Sequence, residues 1–293
     1  MASKIRSIAE IRGFSQQSLG TLYLVGTPIG NLEDLTLRAL RVLREVDLIA
    51  CEDTRQTQKL LNHFQIEKQT TSYQEHNELT KAPELILRLE EGSQIALVSD
   101  AGMPGISDPG YRLVHLCLRH NIPVVPVPGP SAVVAVLATS GLPTHAFQFL
   151  GFLPARKTQR RKFFERLQDF RGTTIVFESP RRVVEALEDA LAVLGDRPTV
   201  VAREVTKLHE EFLRGRCSEV LENLRKRPEI PGEITLLFGG EHEEPPAVVH
   251  TKPLKERVQE LLREQNLSRM EALKTAARER HISKSQAYRE YES

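Results

Sequence analysis

The chain lacks the marks of a secreted, membrane-bound or metal-built protein. Its 293 residues contain three cysteines, Cys51, Cys117 and Cys217, and these form no Cys-x-x-Cys pair, so neither a zinc site nor a disulfide framework is implied. No apolar run approaches the ~20 residues of a membrane helix, and Met1 to Gln17 lack the apolar centre of a secretory signal. No His/Cys/Asp cluster stands at ligand spacing, so no metal is expected. A cytoplasmic protein without a membrane partner is the expectation. A charge excess is missing too: 40 Lys and Arg balance 39 Asp and Glu to a net +1. Any nucleic-acid footprint must therefore come from local clustering.

What the chain does have is a 40% hydrophobic content in a length sufficient for two domains. Strand-like runs at Thr21 to Val25, Leu48 to Cys51, Ile95 to Ser99 and Pro123 to Val127 alternate with helical patterns at Thr36 to Glu45 and Tyr111 to Arg119. This alternation predicts a parallel sheet covered by helices. A second unit follows: a helix from Ser131 to Ser140 ended by Gly141, strands at Ala146 to Leu150, Thr173 to Phe177, Thr199 to Arg203 and Glu233 to Phe238, and a helix from Arg182 to Leu194. The expected boundaries are a loose tail over 1–18, α/β domains over 19–127 and 128–240, a linker over 241–253 and a helical domain over 254–293. In that last domain Ser268 to Glu271 and Ser283 to Gln286 match the capping box, and Ala276 to Tyr288 resembles a helix-turn-helix.

Three strand ends run into loops rich in Gly and Pro: Gly26 to Asn31, Asp100 to Gly110 and Pro128 to Ser131. Glycine admits close backbone approach, and open α/β sheets bind ligands beyond the carboxyl ends of their strands. Tight structural turns are the alternative for each loop alone; together they suggest one sheet edge shaped for one small molecule. Basic residues cluster from Leu153 to Arg182, where Arg156, Lys157, Arg160, Arg161, Lys162, Arg181 and Arg182 are candidate RNA contacts. A solvated helix face is the plainer alternative.

Leu24 to Leu32, Cys51 to Arg55, the Asp100 loop, Pro128 to Ser131, Phe177 to Arg182 and Arg203 to Glu211 occur in an order that resembles the ribosomal RNA small subunit 2′-O-methyltransferases of the tetrapyrrole methylase superfamily. The tetrapyrrole enzymes usually carry Gly-x-Gly-Pro-Gly-Asp in the first loop; here it is Gly26-Thr27-Pro28-Ile29-Gly30-Asn31, as in the ribosomal RNA branch. The resemblance implies two α/β domains with the cofactor in the cleft between them, S-adenosylmethionine as that cofactor, a cytidine ribose of 16S ribosomal RNA as acceptor, the small ribosomal subunit as partner, and a homodimer. The donor-site candidates are Pro28, Asp100, Ala101, Gly102, Met103, Ser131, Phe177, Glu233 and Ile234, though Phe177 could equally belong to a core.

A ribose hydroxyl is a poor nucleophile, so a base is sought. Glu52, Asp53 and Glu204 are the acidic candidates, with Lys207 and His76 behind them, and a surface ion pair is the alternative for each. Arg55, Arg181 and Arg182 suit phosphate, which guanidinium binds bidentately. Two other readings stay open: a small-molecule methylase with the same cofactor, and a non-enzymatic nucleic-acid-binding regulator using the C-terminal helices.

Overall fold

The computed structural model describes residues 19–240, 254–264, 268–280 and 284–292. The expected tail, the linker and the second capping box, at Ser283, lie outside them.

The first sheet is built from β1 (Thr21–Val25), β2 (Leu48–Cys51), β3 (Thr70–Ser72), β4 (Gln94–Val98) and β5 (Val124–Val127), in the order β3-β2-β4-β1-β5 and all parallel. A parallel sheet is covered on both faces, so its central strands are apolar throughout. β2 is buried along its whole length. Alternation then sorts its side chains: Leu48 and Ala50 join Leu22, Ile95 and Leu97 under α3 (Glu78–Glu90) and α4 (Tyr111–Arg119), while Ile49 and Cys51 join Val25, Ala96 and Val98 under α1 (Leu37–Glu45) and α2 (Thr54–His63). Thr36 caps α1 by accepting from the Ala39 N–H at 3.1 Å.

The chain then passes through α5 (Ala132–Ser140), ended by Gly141 as expected, into a mixed sheet. This contains β6 (Phe147–Phe152), β7 (Thr173–Glu178), β8 (Pro198–Arg203), β9 (Glu211–Arg216) and β10 (Ile234–Phe238), ordered β6-β7-β10-β8-β9. One face, through Val176, Val201 and Leu236, packs on α6 (Lys157–Glu165), α7 (Val183–Leu194) and α8 (Cys217–Arg225). The other, through Ile175, Val200 and Leu237, packs on Val133, Val136 and Leu137 of α5. Both sheets belong to one compact unit ending at Gly239.

A second compact unit contains α9 (Leu254–Glu264), α10 (Arg269–Glu279) and α11 (Lys284–Glu292), with its own core of Leu254, Val258, Leu261, Ala272, Ala276 and Ala287. The Ser268 capping box forms: the Glu271 N–H donates to the serine hydroxyl, and the Ser268 N–H to the glutamate. α10 and α11 match the two expected helices of the helix-turn-helix, whose turn lies outside the described residues.

Candidate active site

The three glycine-rich loops do meet. Thr27 and Gly102 exchange backbone hydrogen bonds of 2.9 and 3.1 Å, tying the loop after β1 to the loop after β4. The buried Thr27 hydroxyl donates to the Ser99 carbonyl at 3.1 Å and reinforces the tie. Gly26 and Gly129 touch backbone to backbone: a Cβ on Gly26 would stand 2.7 Å from Met103 Sδ and 2.8 Å from Gly129 Cα, so neither position has room for a side chain. Asp100 to Met103 and Pro128 to Ser131 thus meet beside the loop after β1 at the carboxyl edge of the first sheet, which makes that edge the candidate opening. Asp100 and Ala101 are exposed on it, and Pro28, Met103 and Ser131 are half-buried. Ser131 occupies the N-cap of α5 with its hydroxyl unused for capping.

Carboxylates gather on one side of that opening. Asp100 Oδ1 accepts from the Asp53 N–H at 3.0 Å, which seats the start of α2 beside the Asp100 loop. Burial, then Asp100 and Asp53, raise the Glu52 carboxyl above its ordinary value. Asp108 is pushed up to about 6, first by burial and next by Glu52, against a Ser99 hydrogen bond that lowers it. Asp108 lies inside the loop from Asp100 to Gly110, where nothing in the sequence marks it out. Its Ser-Asp-Pro-Gly setting looks like turn chemistry, and only the fold reveals its acidic neighbours.

A second corner comes from the other sheet. Lys207 Nζ lies 2.9 Å from Glu204 Oε1 and 3.2 Å from Glu233 Oε2, and the same Glu204 oxygen accepts the Glu233 N–H at 2.9 Å. Glu204 and Thr206 hold positive φ angles of 53° and 69°. Such strain persists where surrounding contacts over-determine it. The Lys207 stem lies against Gly30 of the first loop, where a Cβ would strike it. The Lys207 hydrogen bond holds the Glu204 carboxyl below its ordinary value. Burial alone would lower Lys207, but Glu204 and Glu233 outweigh it and raise its ammonium. This is the setting of a closed ion-pair network, so Glu204 is a weaker proton acceptor than Glu52 or Asp108. His76 sits exposed on the turn before α3. Phe177 is half-buried between Phe149 and Phe152, and the Ile234 side chain is buried in the second core while its backbone lies in the ladder between β7 and β8.

The basic segment is only partly a free surface. Arg160 is 1% exposed and bonded to the buried Asp189, with Nη2 to Oδ2 at 2.8 Å, so it is removed from the candidate RNA contacts. Arg161 bonds the same carboxylate at 2.7 Å and Arg182 pairs with buried Glu178 at 2.7 Å. Helical spacing turns Arg160 into the core of α6 while its neighbours face out. Arg156, Lys157, Lys162 and Arg181 are exposed, with no carboxylate partner among the described residues.

The profile of the tetrapyrrole (corrin/porphyrin) methylases matches residues 21–221. A ribosomal RNA small subunit methyltransferase I from Halalkalibacterium halodurans is 54% identical over 224 residues, covering 76% of this chain and 77% of that protein. The chain belongs to this methyltransferase family. A Thermotoga maritima member is 50% identical over 222 residues, which make up 76% of this chain and 99% of that protein. A solved uroporphyrin-III C-methyltransferase from Thermus thermophilus, complexed with S-adenosyl homocysteine, shares the fold with a TM-score of 0.50 at 24% identity, over 76% of this chain and 98% of that one. Among the described residues no helix is long and apolar enough to cross a membrane, and no group of His, Cys, Asp and Glu is arranged to hold a metal.

Proposed function

We propose that the chain transfers the methyl group of S-adenosylmethionine to the ribose 2′-oxygen of a cytidine in 16S ribosomal RNA. Family membership supports the reaction class, and the closure of the Gly26, Asp100 and Pro128 loops on one opening carries the placement of the donor. The residues fit that donor: Asp100 keeps its second carboxylate oxygen without a partner among the described residues, and Ser131 offers an unengaged hydroxyl. Asp100 to Met103 with Pro28, Ser131 and the Phe177–Glu233–Ile234 edge would hold it. When bound, S-adenosylmethionine supplies an electrophilic methyl on sulfur.

The chain's own task is then to align the acceptor oxygen and take its proton, and orientation alone can supply much of the rate. Glu52 beside the Asp100 loop and Asp108 within it both have raised carboxyls, Asp108 at about 6, nearer the range where a base accepts protons best. Glu204 and Lys207 act instead as a clamp between the second sheet and the first loop. Arg55, Arg156, Lys157, Lys162 and Arg181 hold phosphates. We assign the reaction to the cytoplasm on small ribosomal subunits and to a homodimer, for which exposed Phe147 and Phe152 on the edge strand β6 offer an apolar face.

Methyl-labelled donor incubated with protein and unmethylated small subunits should place label on a cytidine ribose of 16S RNA. Label on a tetrapyrrole and none on RNA would overturn the reading.

A further inference from the structure

With Arg160 buried and Arg161 and Arg182 sharing carboxylates, part of the cation needed to hold RNA must lie elsewhere. A groove of about 440 Å³ runs along α2, lined by Thr54, Arg55, Gln58, Lys59, Asn62 and Thr70. The helix residues stand at i, i+1, i+4, i+5 and i+8, one continuous face of the helix. Two hydroxyls, two amides, a guanidinium and an ammonium line it, with no carboxylate and no apolar side chain. These are the side-chain types that contact nucleic-acid phosphate and sugar.

Their present bonds are easily exchanged. Lys59 bonds the Gln56 amide at 3.1 Å and Gln58 bonds Asn62 at 2.8 Å, both neutral partners at the surface. Arg55 pairs with Asp53 at 2.9 Å, but its side chain is 87% exposed, and such pairs contribute little. The groove also starts at the right place. Asp53, which caps α2, donates its N–H to Asp100 of the donor loop. From Thr54 to Asn62 the helix rises about 12 Å, leading away from the opening along the edge strand β3. We propose that this groove carries the sugar–phosphate backbone of the substrate RNA beside the methylated nucleotide. The inference rests on the proposed RNA methylation.

The test uses the full chain with unmethylated 16S RNA, naked and within small subunits, across a salt series, beside a donor titration. The double variant Gln58→Glu/Lys59→Glu should raise KM for RNA by about tenfold, and each lost phosphate contact should flatten the slope of log K against log salt by about 0.7–0.9. Donor affinity and kcat at saturating RNA should hold. Gln58→Lys should tighten RNA binding and steepen the slope by a similar amount, a gain that misfolding cannot produce. Unchanged RNA affinity and slope in both variants would overturn the proposal. Effects confined to assembled subunits would also overturn it, assigning the groove to a ribosomal protein. If wild-type protein methylates no 16S RNA, the functional reading fails and this inference with it; if wild type methylates while the variants match it, only the groove fails.

Discussion

At the residue scale the decisive fact is that two acidic groups proposed for one role sit in opposite environments. Glu204 is held ionised by Lys207, whereas Glu52 and Asp108 crowd each other near Asp100 and are raised. Glu52→Gln or Asp108→Asn should therefore lower kcat by on the order of a hundredfold with donor affinity kept, and Asp108→Asn should remove an acidic limb near pH 6 from the rate profile of the wild type. Wild-type rates in both variants would move the base elsewhere. Asp108 also has a stability signature. Its folded pKa of about 6 exceeds the ordinary 3.8, so the fold favours the protonated form. Its contribution is present below pH 3.8 and is lost as pH rises through 6. Asp108→Asn should accordingly gain thermal stability over wild type at pH 8 and not at pH 4, as read by Tm at the two pH values.

Asp100 is the sharper probe of the donor site. It is exposed on the opening, and a lysine there would both intrude and forfeit the bond to the Asp53 N–H. Asp100→Lys should abolish donor binding in calorimetry with the far-ultraviolet circular dichroism still that of a folded protein. Undiminished affinity would exclude the loop from the site.

At the element scale, the strand-to-loop junctions were legible because a buried strand followed by Gly and Pro leaves few alternatives. β1, β2 and α4 stand at the expected residues, β5, β7, β8 and β10 differ by one residue at one end, β4 is displaced by one at both ends, and β6 by one at its start and two at its end. α3 and α8 also escaped although each buries four residues at helical spacing; the others that escaped are polar or lie at an edge: α2 has only Thr57 and Leu61 buried, β3 spans three half-buried residues, and β9 carries Glu211, Arg214 and Arg216. The apolar periodicity of these three is too weak to register, since each covers one side of a core that others fill. α6 misled for the same reason. A run of cations looks uniform in sequence, yet the 3.6-residue period sends Arg160 inward to Asp189. Arg160→Ala should cost about 3 kcal/mol, the lower end for breaking a buried pair, because Arg161 still faces Asp189. Lys157→Ala/Lys162→Ala should leave Tm alone and weaken RNA binding with a flatter salt slope. Equal Tm for Arg160→Ala and wild type in a melting series would refute the structural role given to Arg160.

At the scale of the whole molecule, the proposed active site and the C-terminal helices belong to units with separate cores. Every residue in the donor opening, the Lys207 clamp and the α2 groove belongs to the unit ending at Gly239, and the C-terminal helices bury their own Leu254, Val258, Leu261 and Ala276. The Thermotoga maritima relative is matched over 99% of its length by 222 residues, which leaves it no room for a counterpart of this extra unit. The family's fold is thus complete without such helices. A chain ended at Gly240 should keep its Tm within about 2 °C, the shift of a change below ~1 kcal/mol in a protein of this size. It should also bind donor as the full chain does and still methylate 16S RNA. If the helices add phosphate contacts, the truncated chain will show a higher KM for RNA and a flatter salt slope at unchanged kcat. Loss of cooperative melting or of donor binding would show instead that the helices complete the enzyme.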